Sequence, residues 1–114
     1  MVSTYGFTTA AKVKFKIENF ETGATDGEIE ALINQAEGLI IAITKTIWRT
    51  TIPQLIESAT TNLAALYLLQ HDPSGLSSTS EAAFEADVLW AISSIELKLL
   101  QDPTIVEFLN TQLQ

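Results

Sequence analysis

The sequence predicts an all-α protein, a small bundle of three long helices with a short helix at either end. Three observations lead there. From residue 26 onward the apolar residues recur at helical spacing. The breaks between these runs carry helix-starting and helix-stopping residues. The length, 114 residues of which 46% are apolar, suits a single small domain with a core of its own. Residues 1–114 are therefore read as one helical domain, with 1–7 and 113–114 as flexible ends.

The first 20 residues admit two patterns. Lys12 to Ile17 alternates like a strand, yet Val13, Ile17 and Phe20 also align at i, i+4, i+7. No other segment offers a strand partner, so the segment is read as a helix capped by Thr8 or Thr9. Glu21 to Thr25 forms the following loop. The first long helix is the clearest: Ile29, Leu32, Ile33, Ala36, Ile40, Ile43 and Ile47 make one stripe between Glu28 and Trp48. Asp26 is the expected N-cap. Glu28 and Glu30 suit the positive end of the helix dipole, and Lys45 and Arg49 the negative end.

Thr50-Thr51-Ile52-Pro53 opens the second long helix, since proline is tolerated where no backbone N–H is needed. It runs to about His71, and its half Leu63–Leu69 is apolar on every side, as in the central helix of a bundle. Pro73 and Gly75 end it. Ser78 to Glu81 has the form of a capping box for the third long helix, which runs to about Gln101. Its stripe Phe84, Val88, Ala91, Ile92, Ile95 and Leu99 is the expected core face. A second row, Leu89, Trp90, Leu97 and Leu100, points away from it. With Ile41, which lies off the stripe of its own helix, that row is either part of a core that wraps the helix or, the reading preferred for so small a domain, a subunit interface. Asp102-Pro103 starts a last short helix, about Thr104 to Gln112, with Ile105, Phe108 and Leu109 on one side; so short a helix must pack on something to be stable.

The function classes narrow by subtraction. No cysteine means no disulfide, thiolate nucleophile or Cys-type zinc site. A single histidine, His71, has no second histidine to share catalysis or a metal, and it stands in a helix-ending turn beside Asp72. The carboxylates Glu28, Glu30, Glu37, Glu81, Glu85 and Asp87 lack the Glu-x-x-His pattern of metal-carboxylate bundles and read as solvated helix faces. No phosphate-cradling glycine loop or nucleophile elbow is present. Neither an enzyme nor a cofactor protein is expected. No apolar run is long enough for a membrane span.

The formal net charge is −8 and it is lopsided. Residues 1–50 hold five basic and six acidic groups, whereas residues 51–114 hold Lys98 alone against eight acidic groups. Such a chain does not bind a nucleic-acid backbone by neutralising phosphates. On charge alone the first reading is that acidity keeps a small protein soluble, and the second is a surface past which nucleic acid slides. Lys12, Lys14 and Lys16 form the one basic cluster, read first as a solvated face.

The run Asp26-Gly27-Glu28-Ile29-Glu30-Ala31-Leu32-Ile33, then Gln35-Ala36-Glu37-Gly38-Leu39-Ile40, and the later Asn62-Leu63-Ala64-Ala65-Leu66-Tyr67, resemble the small helical head–tail connector (adaptor) proteins of tailed bacteriophages and related viruses. The similarity spans roughly residues 8–110. It implies a virion neck protein, assembled in the host cytoplasm into a ring, commonly of twelve copies. That ring sits under the portal protein, extends the DNA channel, and presents a surface to the stopper or tail completion protein. On that resemblance Ile105, Phe108 and Leu109 become portal-docking residues, Ile41, Leu89, Trp90, Leu97 and Leu100 become ring contacts, and acidic residues line the lumen. The loop Asp72–Thr79 is shorter than a long portal-reaching arm. A different class also suits the residues: a small acidic helical regulatory or inhibitor module that binds one protein partner.

Overall fold

A computed structural model describes residues 5–16, 24–48, 51–71 and 79–112, excepting the side chains of 71, 79–83 and 112. Most of the described residues are helical, with no strand among them, in five helices: α1 (Ala10–Phe15), α2 (Asp26–Thr44), α3 (Gln54–His71), α4 (Thr79–Leu100) and α5 (Pro103–Gln112). The strand alternative for residues 12–16 is thereby set aside. Ile17, Phe20 and the Ser78 cap lie outside the described residues.

The ends of each helix follow from local chemistry. Thr9 caps α1, its hydroxyl accepting from the Lys12 amide. α2 opens on a full capping box: Thr25 Oγ1 accepts from the Glu28 amide at 3.2 Å, and Glu28 Oε1 accepts from the Thr25 amide at 3.1 Å. The cap is therefore Thr25, one residue before the expected Asp26. Asp26 takes the first helical position, where its charge still favours the dipole. α2 ends at Thr44, earlier than Trp48, because Lys45 turns left-handed at φ 55° and donates its amide to Ile41 O. A glycine usually marks that turn; a lysine there leaves no signal in the sequence. Ile47 consequently falls off the stripe and is exposed, while Trp48 is buried. Asp102 caps α5, its carboxylate accepting from the Thr104 amide at 2.9 Å, with Pro103 next in line.

α3 is the central element, as its all-round apolar half requires. It packs against α1, α2 and α4, and every residue from Ala59 to Leu66 is buried. Two clusters make the core. One joins Ile29, Ile33 and Ala36 of α2 to Leu63–Leu69 of α3 and Leu89 of α4. The other joins Ile40 and Trp48 to Ile56, Ala59, Leu100 and Val106. The early part of α2 thus shares a cluster with the late part of α3 and the early part of α4. The three long helices run up, down and up, within extents of 44 × 29 × 18 Å.

Of the end expected to be flexible, residues 1–7, the described part is 5–7, and it is held in place. Phe7 is buried, and the amides of Tyr5 and Phe7 donate to the fully buried Glu37 carboxylate at 3.3 and 2.9 Å. Next to them, the buried hydroxyls of Thr8 and Thr61 share a 2.6 Å hydrogen bond. Glu37, expected on a solvated face, instead fastens residues 5–7 to α2.

Candidate interaction surface

α4 decides what the molecule shows to its surroundings, and it sits the other way round from the stripe count. Its inward row is Leu89, Ser93, Glu96 and Leu100, all buried. Its outward row is Phe84, Val88, Ile92, Ile95 and Leu99, with Phe84 65% and Ile95 63% exposed. Ala91 is exposed with them. The reason is polar matching with α3. Glu96 Oε2 accepts from Ser58 Oγ at 2.5 Å, and Glu96 Oε1 accepts from Asn62 Nδ2 at 2.8 Å. A carboxylate so satisfied can be held inside the bundle. The apolar row one residue earlier then faces out.

The expected interface residues divide accordingly. Leu89 and Leu100 belong to the two core clusters, and Leu97 and Ile41 are half-buried against the second. Leu89 and Leu100 are thus unavailable to another subunit. Trp90 alone keeps a free face, 58% exposed, on the flank of α4 away from the outward row. On α5 the buried contact is Val106; Leu109 packs partly against the same cluster and Ile105 is half-buried. Phe108, 59% exposed, points away from both. Of the three proposed docking residues, it alone is fully presented.

Two grooves of about 480 Å³ flank the bundle. The first lies between α1 and the start of α3, with Lys12, Phe15, Lys16, Glu57, Ser58 and Thr61 among its lining. Four of its polar residues, Lys12, Glu57, Ser58 and Thr61, are bonded within the fold. Lys12 pairs with Glu57 at 3.0 Å, Ser58 bonds Glu96, and Thr61 bonds Thr8 and the Glu57 carbonyl. Lys14 pairs with Asp26 at 3.1 Å. Two residues of the basic cluster, Lys12 and Lys14, therefore tie α1 to α3 and α2. The second groove lies between the end of α2 and α5, where Thr44 and Thr111 bond backbone carbonyls of their own helices.

Titratable chemistry is sparse. Burial pushes the Tyr67 phenol up from its ordinary value. Among the described residues no group of three His, Cys, Asp or Glu side chains is placed to hold a metal ion. The side chains of His71 and Glu81, and all of Asp72, lie outside the description. Among the described residues no helix is long and apolar enough to cross a membrane. The sequence signal for the true α4 orientation was present: Ser58 and Asn62, four apart on α3, face Glu96 on α4. Polar residues at helical spacing on two neighbouring helices mark a seam as surely as apolar ones do. The chain matches no protein-family model, no curated protein and no solved structure.

Proposed function

We propose that this protein is a non-enzymatic structural subunit of the head–tail connector type. In this reading its copies assemble as a ring under a portal, extend a DNA channel and receive the next neck protein. The support is the outward apolar row of α4, five bulky residues that join neither core cluster among the described residues. Soluble chains rarely expose such a row unless another protein covers it. The helix order and the motifs of α2 and α3 agree with the resemblance, and the acidic balance suits a lumen through which DNA passes unbound.

Phe108 is the portal contact in this reading, because Ile105 and Leu109 turn partly towards the core. Native mass spectrometry of the chain mixed with the portal ring from the same source tests it. Many copies held by one portal are expected, with capture lost in Phe108→Glu, whose exposed site leaves the fold intact. A chain that remains at one or two copies and ignores the portal overturns the reading in favour of the regulatory module.

A further inference from the structure

Val88, Ile92, Ile95 and Leu99 are spaced 4, 3 and 4 apart along α4. That is the spacing of a helix lying along a second helix at a shallow angle, its side chains filling the holes of the partner. The inward row, Leu89, Ser93, Glu96 and Leu100, has the same spacing and two polar residues. The helix therefore carries two seams, and the more apolar one has no partner within the described residues.

We propose that this outward seam pairs two copies of the chain through an antiparallel contact between their α4 helices, covering the assembly face until a template opens it. The inference rests on the reading of that face as an assembly surface and adds how it is covered beforehand. The charges on α4 choose the occupant and its direction. Glu85 and Asp87 precede the middle of the seam, and Lys98, the one basic residue after Arg49, follows it. When two such helices run antiparallel about a centre between Ile92 and Ile95, Lys98 of each copy reaches the acidic turn of the other. A parallel pair would set Glu85 beside Glu85 and Lys98 beside Lys98. The helix dipoles favour the same direction. Two-fold pairing of one patch with itself is also the commonest symmetry of soluble oligomers.

The size of the contact fits a cover that can be removed. α4 has 22 residues and is about 33 Å long. A contact confined to one helix falls short of the roughly 800 Å² per partner of a stable complex. The pair therefore exchanges.

The chain's lack of cysteine makes the test clean. Val88→Cys and Leu99→Cys are prepared separately, then oxidised alone and as a mixture. Both sites are exposed, so neither variant disturbs the core. In the antiparallel pair Val88 lies opposite Leu99 of the other copy, while Val88 and its own counterpart lie about 16 Å apart, beyond disulfide reach. The expected result is a mixed Val88→Cys/Leu99→Cys dimer, identified by mass, with little product from either variant alone. A second readout uses sedimentation: Ile95→Glu keeps its helical circular dichroism but raises the dimer dissociation constant about 100-fold or more.

Self-linked Val88→Cys, or no linked product in the mixture, overturns the pairing. So does a dimer untouched by Ile95→Glu. Portal capture without cross-linking removes this inference and leaves the connector reading standing; cross-linking without capture does the reverse.

Discussion

Glu37 shows how a single residue can change what a segment does. Its stem lies on α2, yet its carboxylate receives the amides of Tyr5 and Phe7, some thirty residues earlier. Hydrogen bonds to a charged acceptor contribute about 1.5–3 kcal/mol each when buried. They offset the ordering of the N-terminal segment and seat Phe7 in the second cluster. Tyr67 acts in a different way, through its titration. Burial holds its phenol above the ordinary value of 10.0, so the unfolded chain releases that proton first as pH rises. The stability from the protonated phenol is complete below the unfolded value and is lost between that value and the folded one. Urea unfolding at neutral pH and above pH 10 checks the sign: Tyr67→Phe should lose less stability than the parent over that interval. An equal loss in both proteins would remove Tyr67 from the account.

At the scale of the element, α4 separates hydrophobicity from burial. Counting apolar residues selects Phe84, Val88, Ile92, Ile95 and Leu99 as the core face, and the structure turns that face out. The deciding interaction is Glu96 with Ser58 and Asn62, a buried set whose orientation no apolar count contains. Replacing Asn62 with Ala leaves one carboxylate oxygen of Glu96 without its donor, which should cost about 2 kcal/mol in urea unfolding. The triple replacement Ser58→Ala/Asn62→Leu/Glu96→Leu should regain much of that loss, since apolar residues can substitute for a buried polar set. It would also remove the feature that fixes the rotation of α4. Other parts of the fold were legible from local chemistry. Thr9, the Pro53 region and Asp102-Pro103 announced helix starts, and the apolar belt of Leu63–Leu69 announced the central helix. The end of α2 was illegible because Lys45 occupies a left-handed turn that a glycine would have advertised. Of the residues expected at a surface, Trp90 and Phe108 are exposed, while the outward row, expected as the core face, is exposed as well.

For the whole molecule, the two core clusters raise the question of whether the bundle holds together as one unit. Ile29, Ile33 and Leu63–Leu69 lie in one cluster, and Ile40, Trp48, Ile56, Leu100 and Val106 lie in the other. α2, α3 and α4 each contribute to both, so neither cluster can open without parting helices that the other needs closed. A domain of this size built on continuous helices should unfold in one step. Trp48 offers a local reporter, because it is buried in the second cluster. Trp90 is exposed on α4, so Trp90→Phe leaves Trp48 as the remaining indole with little effect on the core. On that background Leu68→Ala opens a cavity in the first cluster and should destabilise the protein by about 2–5 kcal/mol. If the clusters are coupled, the Trp48 fluorescence midpoint in urea falls by as much as the midpoint from circular dichroism, although Leu68 and Trp48 belong to different clusters. A Trp48 transition that stays in place while the helical signal shifts would divide the bundle into two independently melting halves. The coupled outcome would also explain how the outward seam of α4 stays straight enough to act as a surface: the helix is gripped at Leu89 by one cluster and at Leu100 by the other.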